Sequence, residues 1–308
     1  CLALLALALA PAHSAGAAAA ARPLRVVTTT TDLRALVEAV GGDRVTVASL
    51  LAGAQPPHAF EAKPGHVALL RSADLVVRIG LDHDAWLARL LAQAGNPRIR
   101  FGAPGHVNTA RGIEVLEPVP RTGTPARHVH AFGNPHYWLD PENARPMTRT
   151  IADALAAAAP ADREGFERRR QAFLERLDAG LARWTRALAP YRGARVVAVH
   201  DSFPYLARRF GLVVVGYVEP QPGIPPPPAH LARLVAEMRR RQVRVVLSEA
   251  WLPEELPRRV AAEAGATVVK LPTSVDSAPG TGDFVALFDR IVERLVAGFE
   301  AAGPPGGR

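Results

Sequence analysis

The chain is 308 residues long and 48% hydrophobic, enough apolar material for one large or two medium domains. Its one cysteine, Cys1, excludes an intramolecular disulfide and any cysteine-rich metal site, so a bound metal would have to draw on ten histidines and the acids near them. A net charge of +8 would suit nucleic acid or an anionic membrane, but it comes from arginines scattered among Asp and Glu, with only Lys63 and Lys270 beside them. No zinc-finger spacing, aromatic RNA-binding signature or basic arm accompanies the charge, and no nucleic-acid partner is expected.

Residues 1–22 open with the apolar run from Leu2 to Ala10, followed by Pro11 and an alanine-rich stretch offering A-x-A sites. This reads as a truncated signal peptide whose basic start is missing, too short to span a bilayer, and it implies export to the periplasm or another extracytoplasmic space. A lipid-modified cysteine would follow such a run, whereas Cys1 precedes it.

From Leu24 onward, short β-branched runs alternate with amphipathic stretches, the pattern of parallel α/β architecture. Strands are predicted at 26–29, 45–51 and 75–79, with helices at 32–40, 63–71 and 85–94. A loop-rich stretch covers 95–135. Asp140-Pro141-Glu142 then supplies an N-cap with proline at the first helical position, opening a helix toward Ala158. Between Pro160 and Pro190, Phe166, Phe173, Leu177, Leu181, Trp184 and Leu188 recur at helical spacing as one apolar stripe. A continuous helix of that length would span about 42 Å at 1.5 Å per residue, long enough to brace two lobes.

The alternation then restarts, with strands at 195–199, 212–218, 243–248 and 267–271 and helices at 203–210, 229–241, 253–264 and 284–299. The expected architecture is therefore two (β/α) lobes with parallel sheets, 23–159 and 191–301, joined by one long rigid helix over 160–190. Pro220–Pro228 reads as a stiff loop inside the second lobe, and 302–308 as a disordered tail.

Parallel sheets bind ligands beyond the carboxyl ends of their strands, and four residues there could carry chemistry. His58 lies in Pro56-Pro57-His58-Ala59-Phe60-Glu61, His136 in Asn134-Pro135-His136-Tyr137-Trp138, His200 just after the strand 195–199, and Asp276 after the last strand. A single loop histidine is ordinarily just a hydrogen-bonded residue. Two candidates from each lobe, all at strand ends facing one cleft, supply three imidazoles and a carboxylate, a full tetrahedral shell for zinc. A filled shell holds an ion rather than activating water on it, and no catalytic residue is expected.

At these positions the sequence resembles the metal-binding receptors of zinc and manganese ABC importers, the cluster A-I family of periplasmic solute-binding proteins. The likeness runs from about Arg25 to Phe299. It is carried by Pro57-His58-Ala59-Phe60-Glu61, Ser72-Ala73-Asp74-Leu75-Val76-Val77 with Trp86-Leu87 downstream, His136-Tyr137-Trp138-Leu139-Asp140-Pro141, and His200-Asp201-Ser202-Phe203-Pro204-Tyr205. The resemblance implies a metal between two lobes, His58, His136 and His200 as ligands, and delivery to an ABC importer permease; the receptor is expected to be a monomer. The family's late aspartate aligns with Asp276 after a shift of about one residue, and Glu249 or water competes for that fourth place.

The histidine-rich acidic loop of zinc-specific members is reduced here to His128-Val129-His130. Three imidazoles still favour Zn2+ as the bound ligand over Mn2+, which prefers oxygen. His66, His83, His106 and His230 are assigned no role, and Asp140, Asp201 and Glu61 are read as caps or as partners that orient imidazoles. Two other functions fit the same residues: a zinc-dependent hydrolase with an open coordination position, which lacks a His-Glu-x-x-His element here, and a binding protein for a metal chelate.

Overall fold

The computed structural model describes residues 22–53, 55, 60–116, 132–220 and 224–303. The leader over residues 1–21, His58, His128, His130 and the last five residues of the tail lie outside them.

The first lobe carries a parallel sheet of β1 (Leu24–Thr28), β2 (Val45–Ser49), β3 (Leu75–Arg78) and β4 (His106–Asn108), in the order β2-β1-β3-β4. The second repeats the arrangement with β5 (Arg195–Ala198), β6 (Val213–Tyr217), β7 (Val245–Glu249) and β8 (Thr267–Leu271), in the order β6-β5-β7-β8. In each sheet the chain order reverses beside the first strand, and such a switch point opens a crevice at the carboxyl ends of the strands. The segments that follow β1 and β8 meet at the junction of the lobes, where Thr31 and Asp32 bond to Val275.

Helices α1 (Thr31–Gly41), α2 (Pro64–Ser72), α3 (Leu87–Ala94) and α4 (Ala144–Ala158) cover the first sheet; α6 (Pro204–Phe210), α7 (Pro228–Arg240), α8 (Glu255–Ala264) and α9 (Phe284–Ala301) cover the second. Between the lobes runs α5, Arg163–Leu188, whose 26 residues extend about 39 Å. Five of its six predicted stripe residues are buried and Leu181 is half-buried. It meets α1 and α4 on the first-lobe side and α9 on the second, where the Trp184 ring packs at a tilt 5.3 Å from Phe288 and donates its indole N–H to Asp289 at 2.7 Å. A Cβ on Gly180 would lie 2.7 Å from the Trp184 ring, so the absence of a side chain there makes room for the indole.

A continuous buried cluster runs from Val26 and Leu36 through Phe173 and Trp184 to Phe288 and Leu295, spanning both lobes. Smaller clusters, around Val76 and Leu90 in one lobe and Val246 and Met238 in the other, seal the outer faces. A shared core of this kind opposes wide hinge motion, because packed interiors do not deform continuously.

Two elements depart from the sequence reading. The three-residue strand β4, inside the predicted loop, is too short to show a period. The helix expected from Asp140 begins instead as a 3-10 turn over Pro141–Asn143, with the α-helix proper starting at Ala144. Pro146 explains the delay: a helix begun at Pro141 would place its ring beyond the first turn, where it would lose a hydrogen bond, whereas a start at Ala144 keeps it among positions that need no partner.

The loop between β8 and α9 is fastened to the first lobe. Val275 donates its N–H to Asp32 at 2.9 Å and accepts from the Thr31 hydroxyl at 2.6 Å, while a Cβ on Gly53 would fall 2.2 Å from the Val275 carbonyl oxygen. Gly53→Ala is therefore expected to push this loop off α1 and lower stability by about 1–3 kcal/mol, the usual range for overpacking. Urea unfolding of the two proteins measures it, and equal midpoints would refute the close approach.

Candidate metal centre

His136 sits at the head of a turn, Tyr137–Leu139, that is pinned on both sides. The buried Tyr137 hydroxyl donates to the Ile79 carbonyl at 2.8 Å, and the Trp138 indole donates across the junction to the Thr273 carbonyl at 2.9 Å. His200 follows β5 at the switch point of the second sheet. The two imidazoles come from opposite lobes, each is 3% exposed, and their ring centroids lie 5.5 Å apart at an interplanar angle of 84°. Rings that close, edge to face, can turn two nitrogens toward one ion.

The acids around His200 give the pocket its charge. Glu249 ends β7, the strand beside β5, and is fully buried. Burial pushes its carboxyl pKa up, against the pull of His200 and Ser202. At His200 burial alone would lower the imidazole pKa, but Glu219, Glu249 and Asp201 outweigh it and the net shift is upward. The Glu219 carboxylate lies 3.6 Å from His200 Nδ1. A buried carboxylate is costly unless its charge is paired, and a cation beside it supplies that pairing.

Asp276 is placed differently. Its side chain is 44% exposed and paired with Arg34 of α1, on a backbone at φ 60° in the left-handed region. The structure thus brings His136 and His200 together, sets Glu249 within electrostatic reach of His200, and holds the Asp276 carboxylate on an arginine. His58 falls in the undescribed stretch 56–59; among the described residues that follow, Phe60 stacks on Trp86 at 3.8 Å. Among the described residues, no three His, Cys, Asp or Glu side chains are grouped closely enough to hold a metal ion.

Of the residues read as caps, Asp140 receives the Glu142 N–H at 3.0 Å and also an interlobe pair from Arg209, at 2.6 Å from Nε. Sequence reasoning passed over two neighbours of the site. His83, 2% exposed, lies 6.0 Å from the His136 ring and 5.0 Å from Trp138, on a turn in which Leu81 and Asp82 both take positive φ. Glu219 follows β6. Both lie beyond carboxyl ends of parallel strands, the rule that selected the other candidates, and applying it to every strand would have found them.

Two parallel α/β lobes locked on a long helix, with buried imidazoles meeting where the strand ends converge, define a rigid, helix-braced class of solute-binding protein. The model of the ZnuA family, zinc-uptake complex component A periplasmic, matches residues 26–298, and the chain belongs to that family. It is an exported metal-binding receptor of an ABC-type importer rather than an enzyme, and members of the family work with permease and ATPase components.

The chain is 31% identical over 251 residues to a putative metal-binding protein of Treponema pallidum (strain Nichols), covering 80% of this chain and 78% of that one. It is 28% identical to the zinc-binding lipoprotein AdcA of Streptococcus pneumoniae, covering 79% of this chain but spanning only 48% of AdcA. In structure it superimposes on FpvC of Pseudomonas aeruginosa in complex with Mn2+ with a TM-score of 0.77 at 26% identity, over 92% of this chain and 100% of that one. No helix among the described residues is long and apolar enough to cross a membrane.

Proposed function

We propose that the chain captures one divalent transition-metal ion between its lobes, Zn2+ ahead of Mn2+, and releases it to the importer permease as a monomer. His58, His136 and His200 supply the imidazoles. Glu249 is the better candidate for the fourth ligand, because Asp276 would first have to leave Arg34 and turn inward.

The observation that carries this reading is the convergence of His136 and His200, buried and 5.5 Å apart, from opposite lobes. Three nitrogens and one oxygen suit zinc better than manganese. The Mn2+ complex of FpvC keeps manganese as the competing cargo.

Calorimetry on metal-stripped protein tests the proposal. The expected result is one Zn2+ per chain, bound more tightly than Mn2+, with a thermal midpoint that rises with free zinc, since a ligand bound only to the folded state stabilises it by mass action. No binding of either metal would overturn it. Light scattering showing a single-chain mass with and without zinc checks the monomer.

A further inference from the structure

We propose that Asn134 is a positioning residue for metal capture: it fixes the His136 ring as the tautomer protonated on Nδ1, leaving the Nε2 lone pair for the ion, and ties that ligand to the segment carrying His200. The proposal rests on the reading of His136 and His200 as ligands.

Asn134 is 3% exposed and engaged at every polar atom. Its Oδ1 receives the His136 backbone N–H at 2.9 Å and lies 3.0 Å from His136 Nδ1. Its Nδ2 donates to the Asp201 carbonyl at 2.9 Å, one residue after His200 in the other lobe. The backbone N–H donates to the Leu116 carbonyl at 2.9 Å, and the backbone carbonyl accepts from the buried Tyr205 hydroxyl at 2.9 Å.

Oxygen and nitrogen of a side-chain amide are assigned by their partners, and here both partners are unambiguous. A backbone N–H can only donate, so the atom facing His136 is the oxygen. A backbone carbonyl can only accept, so the atom facing Asp201 is the nitrogen. The oxygen beside His136 Nδ1 then requires that ring nitrogen to carry the proton.

A neutral imidazole can hold its proton on either nitrogen, and a metal binds the one without it. Outer partners that fix this choice and the ring's orientation are typically worth about 10–100-fold in metal affinity. Asn134 does both here, and its bond to the Asp201 carbonyl couples the orientation of one imidazole to the placement of the other.

The test compares wild type, Asn134→Ala and Asn134→Asp by zinc calorimetry and by 15N NMR of the histidine rings in metal-free protein. In Asn134→Asp a carboxylate can still accept the Nδ1 proton but cannot donate to Asp201. Wild type and Asn134→Asp are expected to show the His136 proton on Nδ1. Asn134→Ala is expected to lose that preference and to bind zinc about 10–100-fold more weakly, with Asn134→Asp recovering most of the loss.

A wild-type His136 protonated on Nε2 overturns the proposal, as does an Asn134→Ala protein with unchanged tautomer and affinity within about twofold of wild type. If Asn134→Ala does not fold, Asn134→Asp and wild type decide: a restored tautomer with zinc affinity near wild type upholds the assignment, and proton transfer to Nε2 defeats it. Absence of zinc binding by wild type defeats the ligand reading instead, and the ring spectra still settle the tautomer.

Discussion

Replacing His136 or His200 with alanine is expected to weaken zinc binding by more than about 100-fold, beyond the range that loss of an outer partner reaches. Glu249→Gln is expected to match that loss, whereas Asp276→Asn is expected to change affinity by less than about threefold, within the reach of an indirect effect. The ranking follows from where the carboxylates stand. Glu249 is fully buried and coupled to His200; Asp276 is 44% exposed and held by Arg34.

Glu249→Gln carries a second signature. Its pKa is raised by burial, so the ionised form opposes folding of the metal-free protein, and a neutral amide of the same shape relieves that strain. The metal-free variant is therefore expected to melt above wild type at neutral pH while losing its stabilisation by zinc. A purely structural residue would not raise one midpoint and abolish the other response. If Asp276→Asn abolishes binding while Glu249→Gln leaves it intact, Asp276 coordinates the ion and the Arg34 pair belongs to the metal-free state alone.

The fold was legible because its signals are periodic. Alternating β-branched runs gave every strand longer than three residues, and the stripe from Phe166 to Leu188 marked the brace between the lobes. Local turn chemistry was legible only in part: the Asp140 cap is present, yet Pro146 delays the helix by three residues, an effect of position within the first turn that no period reports. At the candidate site, strand-end placement picked out His136 and His200, the buried imidazoles that lie 5.5 Å apart.

The same placement could not rank Glu249 against Asp276, because the difference lies in burial and in the Arg34 pair, both products of tertiary packing. Nor could it find Asn134. An asparagine two residues before a histidine resembles any turn residue until its second amide atom is seen to reach Asp201, 67 positions away.

The fastening of α1 to the second lobe predicts an unusual dependence of stability on pH. Asp32 is fully buried in the first turn of α1, and burial pushes its carboxyl up to about 7, against the pull of hydrogen bonds with Val275, Ser274 and Thr30. In the unfolded chain the same group has a pKa of about 3.9. Between these values the folded protein holds a proton that the unfolded chain has released, so stability falls as pH rises. The contribution is intact below about pH 4 and is lost once pH passes 7; a gap of about three pH units corresponds to about 4 kcal/mol.

Asp32→Asn keeps an oxygen to accept the Val275 N–H and never ionises. Its advantage over wild type in urea unfolding is expected to be near zero at pH 4 and to grow to about 2–4 kcal/mol by pH 8, isolating this carboxyl from all the others that titrate. An advantage that does not change with pH would mean that Asp32 stays ionised throughout, held so by its place at the start of α1, where the helix dipole and the Val275 N–H favour the charged form.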